Sequence, residues 1–308
     1  MRPIRQAFPV FALLLLVSGV LAVAAAQRGG GFRDVIPTGS RVEYKTLHSK
    51  LLNQDLAYGL YLPPSYAKSD KKYPVLYFLH GLNENEKRWS TRGETDLLLD
   101  RMVAEGKIGE FIVAIPNAAN SFYTNARGGR QEPWEDYIVQ EFIPAIESAN
   151  RVIGTRATRG ISGISMGGYG SLKIAMKHPE MFGSVSAHSA ALIVDLDHAV
   201  APARQLERFR PLFDQIFAIN TDLTYWNANN PLEFAKDTTK LKNLKIYADC
   251  GTEDDYGFFD GLKAFDQTLT KASYPHEAHL YAGNHGWDFA KQHTTESLLF
   301  HWKAFDSK

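Results

Sequence analysis

Apolar and polar positions alternate along some stretches of the chain. In other stretches apolar residues form unbroken runs. The stretch 42–62 alternates and ends at Pro63-Pro64, which predicts two amphipathic, antiparallel strands at a sheet edge. Unbroken runs such as 73–80 and 111–117 are typical of strands covered by helices on both faces. Further strands are predicted from Arg159 and at 182–187, 244–251 and 279–281. The chain therefore contains a sheet with a central, buried part.

Apolar residues with helical spacing lie between these strands. Helices are predicted at 97–103, 135–153, from the serine motif to His178-Pro179, 258–273 and 289–305. Alternating strands and helices predict an α/β fold, with an open, mostly parallel central sheet, right-handed crossovers and helices on both faces. Reactive groups in such folds collect at the carboxyl ends of the strands.

The segment 190–240 interrupts the alternation. It lacks strand patterning, carries several aromatic residues, and is longer than the dozen or so residues a crossover needs. We expect a helical insertion of one or two helices here, which could form a cap over the site. The alternative is an ordinary crossover.

The N-terminus has the pattern of a secretory signal. Arg2 and Arg5 precede an apolar run from about 10 to 23, and Ala24-Ala25-Ala26 follows as a small-residue cleavage site. A membrane anchor is the alternative, but the run is shorter than the ~20 residues that span a bilayer. We expect a signal peptide at 1–26, a flexible, Gly-rich tether at 27–40 and a single domain at 41–308. The mature protein is then secreted or periplasmic, without stable membrane association.

Charge and cysteine content narrow the possible partners. Lys and Arg number 34, as do Asp and Glu, so the formal net charge is zero and no basic field exists to hold nucleic acid. Cys250 is the only cysteine, which excludes an intramolecular disulfide. Its apolar neighbours predict a buried thiol at a strand end.

The motif Gly163-Ile164-Ser165-Met166-Gly167 reads G-x-S-x-G and lies between a predicted strand and a predicted helix. That context is typical of a nucleophile elbow, in which residues without a β-carbon allow a tight turn that exposes the serine hydroxyl. A bare G-x-S-x-G also occurs by chance in Gly-rich loops. The strand-turn-helix context favours Ser165 as a nucleophile.

A serine hydroxyl needs a neighbouring imidazole to take its proton and a carboxylate to orient that imidazole. In this fold the three residues follow in the order Ser, Asp or Glu, His. His285 lies in a turn before the closing helix, whereas His279 falls in a strand and His293 and His301 fall in a helix. We therefore expect His285 to be the base.

The acid is expected in the turn Gly251-Thr252-Glu253-Asp254-Asp255, after a predicted strand. Asp254 is our choice and Asp255 the alternative. Asp249 precedes the turn and still lies in the strand. A Ca²⁺ site is a competing interpretation, but the spaced D-x-D-x-D pattern is missing.

Acyl transfer also needs N–H donors for the developing oxyanion. Met166, after the nucleophile, and Leu82, after His80-Gly81, are placed to supply them. His80 has no second His or Cys at metal-ligand spacing, so we expect no metal or other cofactor.

These residues make the chain similar to the esterase family of α/β-hydrolases, which includes S-formylglutathione hydrolase (esterase D), feruloyl and acetyl-xylan esterases and mycolyltransferases. The similarity runs from about Val42 to the C-terminus. Its marks, in chain order, are Leu79-His80-Gly81, Trp134-Glu135-Asp136-Tyr137, the serine motif, His178-Pro179-Glu180-Met181-Phe182-Gly183, Cys250-Gly251-Thr252-Glu253-Asp254 and Asn284-His285-Gly286-Trp287.

This resemblance implies an α/β-hydrolase fold with Ser165, Asp254 and His285 as the triad, and Leu82 and Met166 as oxyanion donors. We also expect Trp134 and Trp287, which belong to its marks, to bind substrate. The implied function is a secreted serine esterase acting on short acyl, acetyl or feruloyl esters, with plant polysaccharide as one source. The alternatives are an acyltransferase that uses a sugar or lipid alcohol, a thioesterase like S-formylglutathione hydrolase, and a binding module that has lost the chemistry.

Overall fold

A single mixed sheet forms the centre of the computed structural model, which describes residues 39–129, 131–194, 196 and 207–306. Within these residues the sheet has eight strands in the order β1-β2-β4-β3-β5-β6-β7-β8. The strands are β1 (Arg41–Ser49), β2 (Gln54–Leu62), β3 (Val75–Leu79), β4 (Ile112–Pro116), β5 (Arg159–Ile164), β6 (Ser184–His188), β7 (Lys245–Gly251) and β8 (Glu277–Tyr281).

Strand direction divides the sheet in two. β1 and β2 are antiparallel to each other, and β2 is antiparallel to β4, whereas β3 to β8 are all parallel. The predicted α/β-hydrolase fold is confirmed. β3 pairs with β4 on one side and with β5 on the other, so the chain reverses its direction of travel across the sheet at β3. Such a reversal opens a crevice beyond the carboxyl ends of the two strands.

Helices cover both faces of the sheet. They are α1 (Arg88–Thr91), α2 (Thr95–Ala104), α3 (Trp134–Asp136), α4 (Ile143–Ala149), α5 (Met166–Lys177), α6 (Arg210–Phe217), α7 (Thr224–Asn227), α8 (Pro231–Phe234), α9 (Phe258–Lys271) and α10 (Trp287–Phe305). The Tyr77 hydroxyl of β3 reaches the Ile143 carbonyl at 3.4 Å, and the Phe78 ring lies 6.0 Å from that of Trp287. Both faces of β3 are therefore buried, which explains its unbroken apolar sequence.

The helix predicted at 135–153 is interrupted and shorter. A π-turn, Tyr137–Phe142, joins α3 to α4, and the Ile143 amide bonds to the Ile138 carbonyl five residues back. Pro144 has no amide hydrogen for the usual bond within the helix. After Ala149 the backbone is extended, and the Ile153 amide donates to the Tyr73 carbonyl at 2.9 Å. Residues 150–153 thus leave the helix to pair next to β3.

The described part of the segment 190–240 contains three short helices, α6, α7 and α8, rather than the one or two expected. Phe213, Phe217 and Trp226 are buried, and the Trp226 ring stacks on Tyr169 of α5 at 5.8 Å between ring centroids. This insertion therefore belongs to the core as well as to the surface.

The predicted signal peptide at 1–26 and the predicted tether at 27–40, apart from its last two residues, lie outside the described residues. None of the helices in the described residues combines the length and the apolar composition of a membrane span.

His301 joins α10 to the sheet within a buried polar network. Its Nδ1 lies 2.8 Å from the Ser184 hydroxyl and its Nε2 2.9 Å from the Ser186 hydroxyl, which itself donates to Ser162. Ser186 therefore accepts from Nε2–H, and the Nδ1 of a neutral ring accepts from Ser184. Burial lowers the pKa of His301 to about 3.

We predict that stability falls as pH drops below about 6.5, because the unfolded chain then binds a proton that folded His301 does not take up until about pH 3. His301→Gln should remove up to about 1.4 kcal/mol per pH unit from this dependence. Urea unfolding between pH 7 and pH 4.5 measures it. Ser184→Ala keeps the imidazole and should retain the wild-type slope; identical slopes for wild type and His301→Gln would contradict the prediction.

Candidate active site

The serine turn lies where β5 ends and α5 begins. Ser165 has φ 57° and ψ −115°, a strained conformation for a residue with a side chain. Its amide donates to the His188 carbonyl at 2.9 Å, and its carbonyl accepts from the Ala191 amide at 3.1 Å. These bonds hold the turn against the end of β6 and the residues that follow it.

Two glycines permit this turn because a side chain at either position would overlap the neighbouring backbone. A β-carbon on Gly167 would lie 1.9 Å from the Leu79 carbonyl oxygen, and one on Gly163 would lie 2.4 Å from the Gly167 backbone. Both distances are far below van der Waals contact. The expectation that these positions exclude a β-carbon is therefore confirmed.

The structure brings Ser165, His285 and Asp254 into one hydrogen-bonded chain. His285 Nε2 lies 3.0 Å from Ser165 Oγ, and His285 Nδ1 lies 2.7 Å from Asp254 Oδ2. The Asp254 side chain is fully buried, and that of His285 is 14% exposed. This geometry allows the imidazole to take the serine proton while the carboxylate orients the ring.

The two candidate aspartates of the acidic turn have different environments. Asp254 points inward, where its Oδ1 accepts from the Tyr256 amide at 2.9 Å. Asp255 is exposed, and it contributes its backbone amide to Asn284 Oδ1 at 3.1 Å. The Cys250 thiol donates to Asp254 Oδ2 at 3.5 Å, and burial raises the pKa of that thiol. The prediction of a buried Cys250 is confirmed.

Asn284 Oδ1 also accepts from the His285 amide at 2.7 Å. The same oxygen therefore links the acidic turn to the turn that carries His285. The remaining downstream histidines have other contacts. His276 bonds to Asp266, His279 lies in β8 beside Tyr247, and His293 stacks on Tyr281.

Leu82 and Met166 both line the cavity beside Ser165. Met166 is the first residue of α5, so its amide has no acceptor within the helix. The amide of the preceding loop residue, Gly81, is already bonded to Glu84 Oε2 at 3.0 Å. Both predicted donors therefore border the cavity that contains Ser165, and the Met166 amide lies at the start of a helix.

His80 holds the loop that carries Leu82. Its Nδ1 lies 2.9 Å from the Gly81 carbonyl, and its Nε2 accepts from the Ala118 amide at 3.1 Å. Burial lowers the pKa of His80 to about 4, so the ring is neutral. Among the described residues no group of three or more His, Cys, Asp or Glu side chains is arranged to hold a metal ion.

A cavity of about 190 Å³ opens in front of Ser165, and six of its lining residues are aromatic. The aromatic lining residues are Phe122, Phe209, Phe213, Tyr256, Phe258 and Trp287. Tyr256 and Phe258 pack edge-on against the His285 ring, at 4.7 and 5.5 Å between centroids. Phe209 and Phe213 come from the insertion, which therefore forms one wall.

The two tryptophans expected to bind substrate lie in different places. Trp287 lines the cavity, and its indole N–H donates to Glu84 Oε1 at 2.6 Å. Trp134 does not line it: the side chain is buried in the core, packs edge-on to Tyr137 and donates to Glu132 Oε2 at 2.9 Å. The expectation for Trp134 is corrected, because its indole is engaged in packing at the start of α3.

Several lining residues were missed by reasoning from the sequence. Tyr256 and Phe258 could have been inferred, since they directly follow the acidic turn. Phe122 lies in a stretch that reads as a polar loop, and Glu84 has no motif of its own. Their place at the site depends on contacts between distant segments.

The family model described as "Putative esterase" matches residues 49–298 of this chain. An endo-1,4-beta-xylanase/feruloyl esterase of Xylanibacter ruminicola is 31% identical over 172 residues, which is 54% of this chain and 24% of that protein. An esterase of Mycobacterium tuberculosis is 25% identical over 269 residues, covering 80% of this chain and 56% of that protein. The chain thus spans about a quarter and about half of the length of these relatives.

Solved structures of esterases are also similar to this chain. A ferulic acid esterase superposes with a TM-score of 0.72 at 30% identity, covering 86% of this chain and 98% of that one. An S-formylglutathione hydrolase of Agrobacterium tumefaciens has a TM-score of 0.69 at 20% identity, covering 91% and 99%, and shows the shared fold.

The close approach at Gly167 yields a prediction. Gly167→Ala should lower the free energy of unfolding by more than about 2 kcal/mol, because the added methyl group overlaps the Leu79 backbone. Gly129→Ala is the matched control: a β-carbon there meets nothing within 4 Å, so the change should stay within about 0.5 kcal/mol. Equal urea midpoints for the two variants would refute the steric argument.

Proposed function

Because this chain belongs to the esterase family, we propose that it hydrolyses carboxylic esters with Ser165 as the nucleophile, His285 as the base and Asp254 as the orienting acid. One observation carries the proposal. The His285 ring bonds to Ser165 on one side and to buried Asp254 on the other, at the floor of an open cavity. A buried carboxylate bonded to Nδ1 selects the tautomer in which Nε2 can accept the serine proton.

In the proposed reaction, Ser165 Oγ attacks the ester carbonyl carbon while its proton moves to His285 Nε2. The carbonyl oxygen becomes an oxyanion, and the amides of Leu82 and Met166 donate to it. His285 then returns the proton to the leaving alcohol, which leaves an acyl group on Ser165. Water, deprotonated by His285, releases the acid and restores the serine.

We propose that aromatic acyl groups of the hydroxycinnamoyl type are good substrates, along with short acyl groups. Six aromatic side chains surround the cavity, and edge-to-face contacts between rings add about 0.5–1.5 kcal/mol each beyond burial. The names of two relatives, a feruloyl esterase and a ferulic acid esterase, support the same class. Plant polysaccharide that carries such esters is the proposed natural source.

We further propose that the protein acts outside the cytoplasm, after cleavage near Ala26, and that residues 41–308 form one catalytic domain. The charged start, apolar run and small-residue site of the N-terminus support export. The start of β1 at Arg41 supports the domain boundary.

Ser165→Ala should lower kcat for a p-nitrophenyl acetate assay by at least about a thousandfold, because loss of a triad member removes covalent catalysis. Activity within tenfold of wild type would end the proposal of a serine nucleophile.

The two aspartates provide a matched pair. Asp254→Asn should lower kcat by about 10⁴-fold, since an amide favours the wrong imidazole tautomer. Asp255→Asn removes an exposed carboxylate that does not face His285, so kcat should stay within about twofold. If Asp255→Asn caused the larger loss, the acid would be misassigned.

An aromatic acyl preference is checked with methyl cinnamate and methyl butyrate. Phe209→Ala should lower kcat/KM for methyl cinnamate by about fivefold more than for methyl butyrate, because it removes a ring contact worth about 1 kcal/mol. An equal loss for both esters would show that Phe209 does not contact the acyl group.

A further inference from the structure

Glu84 is the only Asp or Glu among the described residues that line the cavity, and both its oxygens contact fixed donors. Oε2 accepts from the Gly81 amide at 3.0 Å, and Oε1 accepts from the Trp287 indole N–H at 2.6 Å. Gly81 precedes Leu82, and Trp287 is two residues beyond His285. One carboxylate therefore connects the loop that carries Gly81 and Leu82, called here the oxyanion loop, to the turn that carries His285, although Glu84 and Trp287 are 203 residues apart in the chain.

The charge of this carboxylate opposes the reaction. In the proposed reaction negative charge builds on the substrate oxygen, and a second negative charge that lines the same cavity raises the energy of that state. A neutral acceptor would lack this cost. A contribution of Glu84 to the reaction is therefore expected from the geometry of its two hydrogen bonds rather than from its charge.

The geometry requires two acceptor atoms on one rigid side chain. The bond from the Gly81 amide restrains the backbone directly before Leu82, the proposed oxyanion donor. A β-carbon on Gly81 would lie 3.1 Å from Glu84 Oε2, so the loop is packed tightly against this oxygen. Carboxylate is the side-chain group that accepts at both oxygens, whereas the amide of Gln accepts at one and donates at the other.

We propose that Glu84 is a positioning residue, which holds the oxyanion loop and the start of α10 in the register that lets Leu82 and His285 act on the same ester. This inference rests on the proposed function. Glu84 acts through Gly81 and Trp287 and does not itself transfer a proton.

The test is a double substitution. In Glu84→Gln the amide nitrogen replaces one acceptor oxygen. Its N–H groups then face a donor, either the Gly81 amide or the Trp287 indole, and we expect the oxyanion loop to shift. We expect kcat for p-nitrophenyl acetate to fall about tenfold to a hundredfold, with KM within about twofold, because the affected interaction forms in the transition state. Inhibition by phenylboronic acid, which forms a tetrahedral adduct on serine, should weaken by the same factor as kcat/KM.

Trp287→Phe removes the indole donor and with it the conflict. In that background the Gln oxygen can bond to Gly81, so Glu84→Gln should lower kcat by less than about threefold relative to Trp287→Phe alone. Glu94→Gln is the control: Glu94 pairs with Lys291 of α10 at 3.2 Å but does not line the cavity, and its kcat should match wild type.

Each outcome decides the inference. An equal loss in the two backgrounds, a change in KM alone, or a faster Glu84→Gln enzyme would overturn it. The proposed function is tested separately by Ser165→Ala: if that variant is inactive while Glu84→Gln retains wild-type kcat, only the role of Glu84 fails. If Ser165→Ala stays active, the nucleophile itself is wrong.

Discussion

The close contact between the start of α5 and the end of β3 is the constraint on which the site depends. A β-carbon on Gly167 would overlap the Leu79 carbonyl, and Ser165, two residues earlier, has a strained backbone conformation. Met166, which precedes Gly167, lines the same cavity as the loop that follows β3. The proposed nucleophile and its two proposed amide donors therefore depend on one packing arrangement rather than on three independent features.

A buried ion cluster supports this arrangement from the side. Lys173 of α5 is fully buried and donates to Glu135, to Thr124 and to the Tyr123 carbonyl. Burial lowers the pKa of Lys173 to about 8, and the carboxylate of Glu135 opposes that shift. Buried charges are costly unless paired and hydrogen-bonded, as they are here. The Tyr123 hydroxyl in turn donates to the His80 carbonyl at 3.0 Å, so the stretch 118–129 is anchored to the loop that follows β3.

The cavity combines this rigid floor with walls from separate segments. Aromatic residues reach it from the stretch after β4, from the insertion and from the turn after β7. The insertion is held by its own contacts: the Tyr225 hydroxyl donates to the Asn125 carbonyl at 2.5 Å, and the Arg127 amide donates to the Ile216 carbonyl at 2.8 Å. Its described part is thus a packed wall of the cavity, which links pocket shape to the core.

The amino-acid sequence by itself determined the alternation of strands and helices, the tight serine turn, and the chain order of Ser165, the acidic turn and His285. These are local properties, set by hydrophobic period, glycine placement and turn chemistry. Only the tertiary structure decided which of two adjacent aspartates faces the imidazole, because the side chains of neighbouring residues in a turn point in different directions. It also placed Trp287 at the cavity and Trp134 in the core, and it joined Glu84 to Trp287. Such outcomes depend on contacts between segments far apart in the chain, which local patterns do not encode.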